Sequence, residues 1–139
     1  MILVDTNVIS EPLRKSPEVR VVKRIDDQPL KTIFLSAITV VELRFGSASL
    51  PAGKRREGLH DSLETHVLPL FSGHILAFDL TASQAYARLT TKARAAGLAI
   101  STADGYIATT AIANRMMVAT RDTASFEAAG VSVINPWEA

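Results

Sequence analysis

Met1-Ile2-Leu3-Val4-Asp5-Thr6-Asn7 is the stretch from which the rest of the chain is read. Three bulky apolar residues run into an acid followed by two small polar side chains. So short and continuous a run of Ile, Leu and Val reads as a strand covered on both faces, as in a parallel sheet. Asp5 then stands at the strand's carboxyl end. In open α/β sheets ligands bind in the crevice outside those ends, so the question is whether other acids reach the same edge.

Four further strands are legible: Ile33-Phe34-Leu35, Ile75 to Phe78, Met117-Val118-Ala119-Thr120, and Val131 to Ile134. Helical patterns fill the intervals. Thr6 to Leu13 is short and broken by Pro12. Ser16-Pro17 has the form of a helix start, a capping residue followed by proline, and Val19, Val22 and Ile25 give that helix its apolar stripe. Ser36 to Ala48 carries Ile38, Val41 and Phe45 on one face, with Glu42 beside them. Lys54 to Val67 is a helix opened by Lys54-Arg55-Arg56. Thr81 to Ala96 has a stripe of Ala82, Ala85, Tyr86, Leu89 and Ala93, with Thr81 and Gln84 at capping-box spacing and Gly97 as its stop. Ser101 opens a helix to about Asn114, and Thr123 to Ala128 is a helical turn. Asn135-Pro136-Trp137 closes the chain, with Trp137 expected as a packing anchor. Strand and helix alternate throughout, which predicts one three-layer α/β/α domain over residues 1–139 with a mostly parallel sheet of about five strands.

Composition narrows the function classes. The chain has 139 residues, 47% hydrophobic and 21% charged, with a formal charge of +1. That balance suits a folded globular domain and gives no global attraction to nucleic acid, so any such binding must come from local patches. Cysteine is absent, which excludes disulfides and thiolate metal sites. No stretch approaches bilayer length and no leader pattern opens the chain, so a cytoplasmic protein with no membrane partner is expected.

Four acids can now be placed. Asp5 follows the first strand, Glu42 lies early in the helix after the second, Asp104 lies in the first turn opened by Ser101, and Asp122 follows the fourth strand. In a right-handed parallel fold these positions fall on one side of the sheet. Each acid alone also reads as a helix cap. Thr39-x-x-Glu42 and Ser101-x-x-Asp104 have capping-box spacing, Asp122 suits an N-cap, and the helix dipole favours acids there by a few tenths to about 1 kcal/mol. Together they need a different account, because crowded carboxylates repel one another and call for a cation. Oxygen ligands without Cys or His suit Mg²⁺, or Mn²⁺ as a substitute.

Met1 to Asn7, Ser36-Ala37-Ile38-Thr39-Val40-Val41-Glu42-Leu43, Ala103-Asp104-Gly105-Tyr106-Ile107-Ala108 and Ala119-Thr120-Arg121-Asp122 resemble the successive blocks of a PIN domain. The similarity is greatest to the VapC-type toxin ribonucleases of toxin–antitoxin pairs, in the FitB-like branch, and it extends to Asn135-Pro136-Trp137. It implies that Asp5, Glu42, Asp104 and Asp122 form an acidic quartet that binds metal and hydrolyses RNA. Thr6, Asn7 and Thr120 would be its supporting polar groups. It also implies a homodimer and a cognate antitoxin that plugs the cleft, with DNA contacted only through that antitoxin. One position departs from the pattern. Many such chains carry Asn where this one has Asp122, and an acid three residues later, where this one has Ser125.

An RNA substrate needs phosphate contacts from Lys or Arg. Arg44, Lys54, Arg55, Arg56, Arg88, Lys92, Arg94 and Arg121 are candidates, and Arg121, beside Asp122, is the best placed. His60, His66 and His74 share no spacing with the acids. Tyr106 and Phe126 are expected to pack. Two phosphorylation-based readings fail on sequence. A dehalogenase-like phosphatase needs a second acid where Asn7 stands, and a receiver-type switch needs an acid pair and a late lysine. The surviving alternative is a non-catalytic module whose acid cleft docks a basic segment.

Overall fold

β1 (Ile2–Val4), β2 (Ile33–Ser36), β3 (Ile75–Leu76), β4 (Met117–Ala119) and β5 (Val133–Ile134) pair in the order β3-β2-β1-β4-β5, with every neighbour parallel. This computed structural model describes residues 1–138. From β1 the chain winds outward through β2 to β3, then returns to the other side of β1 for β4 and β5. The strand order therefore reverses between β1 and β4, where α/β sheets open a binding crevice.

The alternation expected of a strand covered on both faces is present. Val4, Ile33 and Leu35 belong to one core with Val8, Ile9, Val40, Leu43, Leu63 and Phe71. Leu3 and Val118 point into a second core with Ile107, Ala108, Ala111 and Phe126. Successive strand residues face opposite sides, so the sheet is the middle of three layers. The first core is covered by α1 (Thr6–Ile9), α2 (Val19–Asp26) and α3 (Ala37–Ala48), followed by α4 (Lys54–Asp61). The second is covered by α6 (Thr102–Ala113) and α7 (Thr123–Ala128), with α5 (Leu80–Ala95) packed on α6. Among the described residues no helix is long and apolar enough to cross a membrane. Trp137 packs against the first core, as expected of an anchor.

Several local expectations are corrected. The apolar stripe of α3 is not Ile38, Val41 and Phe45. Val41 and Phe45 are 61% and 72% exposed, and the buried set is Thr39, Val40, Leu43 and Ser47. The helix is apolar on more than one face, so its rotation is decided by packing against α1 and α6, not by periodicity. Ser16-Pro17 does not start α2. Glu18 does, its carboxylate accepting from the Arg20 N–H, while its own N–H is held at 2.9 Å by the buried Glu11 carboxylate. This leaves Val19 exposed and Val21 buried.

The Asp79 carboxylate caps α5 by accepting from the Ala82 N–H at 2.9 Å. The helix therefore begins at Leu80, Thr81 is not its cap, and β3 stops at Leu76 instead of Phe78. In α5 Ala82, Ala85 and Ala93 are buried, whereas Tyr86 and Leu89 are half-buried. The expected helix from Lys54 to Val67 ends as regular α-helix at Asp61 and widens to a π-helical turn over Ser62–Val67. Thr6 to Leu13 divides at Ser10 into α1 and a 3-10 turn (Glu11–Leu13) containing Pro12. β5 begins at Val133 because Val131, following the left-handed Gly130 (φ 79°), turns into the second core.

Candidate active site

Asp5 is set by the sheet itself. Its N–H donates to the Ala119 carbonyl at 2.9 Å, continuing the β1–β4 ladder, and the chain then turns directly into α1. The residue is 4% exposed. One oxygen accepts from the Thr6 N–H at 2.8 Å, and the other from the Thr120 hydroxyl at 2.8 Å and the Asn7 amide at 3.3 Å. Burial pushes the Asp5 carboxyl up to about 6. The bonds from Thr120 and Thr6 oppose that rise, and the charges of Asp104 and Glu42 add to it.

Glu42 reaches the same edge from α3. Its Oε1 accepts the Thr6 hydroxyl proton at 2.7 Å, and the Thr39 hydroxyl lies 3.2 Å from that of Thr6. Thr39-x-x-Glu42 is therefore no capping box. Ser36 caps α3, accepting from the Ile38 N–H at 3.0 Å, and Thr39 is wholly buried one turn further on. Thr6 thus touches two acids, Asp5 through its backbone and Glu42 through its side chain.

Asp104 sits in the first turn of α6. Its N–H donates to the Ser101 hydroxyl at 3.2 Å, which is the capping half of the expected box. Its carboxyl is held above the usual range, first by burial and then by the charge of Asp122, with Glu42 contributing further. The next residue, Gly105, packs so closely on α5 that a Cβ there would stand 3.0 Å from the Tyr86 ring. Tyr106 packs against Phe78 and Tyr86, and Phe126 is fully buried, so both aromatics pack as expected.

Asp122 occupies the N-cap position of α7, yet its carboxylate bonds no helix N–H. It accepts the Ser125 hydroxyl at 3.2 Å, while the Asp122 N–H donates to the Thr120 hydroxyl oxygen at 3.0 Å. Ser125 thus orients the carboxylate of Asp122, three residues earlier in the chain. Thr120 is the common node: fully buried, it donates to Asp5 and accepts from Asp122 and, at 3.4 Å, from the Asn7 amide. Asn7 in turn accepts from the Arg121 N–H at 3.1 Å.

The structure therefore gathers Asp5, Glu42, Asp104 and Asp122 at one edge, where the charges of Asp104 and Glu42 act on Asp5 and those of Asp122 and Glu42 act on Asp104, with Thr6, Asn7 and Thr120 bonded among them. Among the described residues no lysine or arginine forms an ion pair with any of the four, and no three acids or histidines are drawn into a closed ligand shell. Arg121 is exposed, and its guanidinium lies over the Trp137 ring, 4.8 Å from the centroid. Arg44 is tied to Glu64 at 2.8 Å and does not reach the acids. His74 stacks on Phe34 and bonds the Ile33 carbonyl, whereas His60 and His66 are exposed on the helical segment after α3. Sequence reasoning missed Thr39, whose hydroxyl matters only because α1 packs on α3. It also missed Glu11, a buried acid whose carboxyl is held low by the Glu18 N–H and by Arg14.

A family model for the PIN domain matches residues 2–131. Over 138 residues the chain is 56% identical to the VapC ribonuclease Y4jK of Sinorhizobium fredii, covering 99% of each. It is 54% identical over 137 residues to toxin FitB of Neisseria gonorrhoeae, again covering 99% of each. Two solved structures superpose with TM-scores of 0.96. One is FitAcB from Neisseria gonorrhoeae, at 53% identity with full coverage of both chains. The other is FitAB bound to an IR36 DNA fragment, at 52% identity, covering 100% of this chain and 97% of that one. With the all-parallel sheet and the acid edge at its switch point, these matches place the chain in the PIN-domain family.

Proposed function

We propose that this protein is a metal-dependent endoribonuclease, the toxin of a type II toxin–antitoxin pair, with one catalytic unit spanning residues 1–139. The observation that carries the reading is the uncompensated acid edge. Asp5 is buried, sits beside Glu42 and Asp104, and has a carboxyl pushed up to about 6, with no cationic side chain among the described residues paired to it. A fold keeps such an arrangement when a bound cation offsets it. The donor set is all oxygen, which fits Mg²⁺, with Mn²⁺ as a substitute.

Asp5 and Asp104 would be the principal ligands, with Glu42 and Asp122 contributing directly or through water. When bound, the ion supplies Lewis acidity toward a phosphate oxygen and a water of lowered pKa. The chain's own part is orientation. Thr120 and Asn7 hold one Asp5 oxygen, the Thr6 N–H holds the other, and the Thr6 hydroxyl fixes Glu42. Such outer contacts determine where ligand lone pairs point. Arg121 would contact substrate phosphate from the rim.

The names of the relatives supply the biological setting: a ribonuclease, a toxin, and a FitAB assembly on DNA. By similarity, this chain would act in the cytoplasm as a homodimer, be neutralised by a cognate antitoxin, and meet DNA only through that partner. The test is to incubate purified, antitoxin-free protein with total and transfer RNA, adding Mg²⁺, Mn²⁺ or chelator. Defined cleavage ends that vanish in chelator are expected. Intact RNA under all conditions, or cleavage unchanged in Asp5→Asn and Asp104→Asn, would leave the acid edge as a docking site only.

A further inference from the structure

A groove opens directly from the acid edge and is not used by the mechanism above. Thr6 and Glu42 line it together with Leu43, Leu59, Leu63, Arg14 and Arg55. Its volume is about 220 Å³. Both guanidinium groups are oriented by one nitrogen each. Arg14 Nη1 donates to both oxygens of the buried Glu11 carboxylate, at 3.1 and 3.2 Å, and Arg55 Nη2 donates to the Leu13 carbonyl at 3.3 Å. A guanidinium has five donors, so each arginine keeps donors free, in a fork geometry that suits phosphate.

We infer that this groove seats the nucleotide adjacent to the scissile phosphate of a single-stranded RNA. Arg14 and Arg55 would contact its phosphate, and the leucine wall would take the face of its base or ribose. The inference rests on the nuclease reading above. Two observations select the occupant. The groove is continuous with Glu42, so a strand whose phosphate sits at the acids must continue across a neighbouring surface, and this one offers paired cations. Its volume, about 220 Å³, gives room for one nucleoside.

The test uses the full chain, free of antitoxin, and a fluorescein-labelled, mixed-sequence, single-stranded oligoribonucleotide. Binding is read by anisotropy in EDTA across a salt series, and cleavage kinetics are read in Mg²⁺. Arg55→Gln and Arg14→Gln should each weaken binding and raise KM by about fivefold to tenfold, and lower the salt slope by about one. Lys31→Gln, just before β2 at the opposite end of the sheet, should change neither. Among the described residues Arg55 forms no ion pair, so its variant reports on the groove even if Arg14→Gln disturbs Glu11. Cleavage by the wild type together with unchanged KM and salt slope in both variants would overturn the subsite and leave the nuclease reading standing. Loss of antitoxin binding with RNA binding intact would also overturn it, in favour of a protein-docking groove. A wild type that cleaves nothing would remove the nuclease reading and the subsite with it.

Discussion

The hydroxyl of Thr120, with no exposed surface, donates to Asp5 Oδ2 at 2.8 Å across a sequence separation of 115 residues. The bond joins the ends of two adjacent parallel strands at the point where sheet order reverses. It couples the most buried acid of the cluster to the loop that carries Arg121 and Asp122.

Thr120→Val keeps the shape and removes both the proton given to Asp5 and the oxygen that accepts from Asp122. Loss of a group that orients a metal ligand typically costs 10–100-fold, so cleavage in Mg²⁺ should fall by about that factor. The folded protein should also lose about 1–3 kcal/mol, because the Asp122 N–H and an Asp5 oxygen lose a partner. Urea titration of the variant measures the second effect, and full activity in it would remove Thr120 from the supporting set.

Asp5 governs the pH response of the metal-free protein. Its carboxyl titrates near 6 when folded, against an ordinary value of 3.8. The folded state therefore binds this proton more tightly than the unfolded state does. Protonated Asp5 favours the fold at pH below about 3.8, and that contribution is lost as pH rises through about 6. In chelator, Asp5→Asn should gain on the wild type by about 3 kcal/mol across this window. Mg²⁺ should erase much of the difference by stabilising only the wild-type carboxylate. Parallel melting curves of the two proteins would lead us to discard the assignment.

Removal of the proposed ligands should be more severe than removal of the groups that orient them. Asp5→Asn and Asp104→Asn should each lower cleavage by about a thousandfold or more, as expected when several kcal/mol of charge stabilisation are lost. Circular dichroism should show the fold intact in both.

Asp122 and Ser125 together give a graded expectation. Asp122 accepts from Ser125 and raises the Asp104 carboxyl by its charge. Asp122→Asn should therefore reduce cleavage by about tenfold or more, and Ser125→Ala by less, since it removes one exposed hydrogen bond worth about 0.5–1.5 kcal/mol. An equal loss in both would identify the hydroxyl, not the acid, as the functional group at this corner. The comparison needs only rates at saturating Mg²⁺.

Ser47 is a point where the fold is not optimised. Its hydroxyl is the buried side-chain oxygen left without a partner among the described residues, on the inner face of α3. Ser47→Ala removes that desolvated group and favours the helix, so it should stabilise the protein by about 1 kcal/mol. A lower melting temperature would show that the hydroxyl is satisfied in solution.

Much of this architecture is legible along the chain. The apolar runs ending in Asp5 and Thr120, the alternation of strand and helix, and the placing of four acids just past strand ends or in early helical turns all follow from local pattern. What pattern could not decide was rotation and termination. α3 carries apolar residues on more than one face, and only its contacts with α1 and α6 bury Thr39 and Leu43 while leaving Phe45 at the surface. α2 and α5 begin at Glu18 and Asp79 because those carboxylates reach the free N–H groups first, one of them positioned by the buried Glu11.

By itself, the sequence determined the kind of sheet and the edge to which Asp5, Glu42, Asp104 and Asp122 are delivered, since these depend on residues near one another in the chain. Only the tertiary structure decided how those acids are held. Thr120 meets Asp5, Thr6 meets Glu42 and Arg14 flanks the adjoining groove through contacts between distant segments, where burial and hydrogen bonding, not propensity, set each side chain's charge and direction.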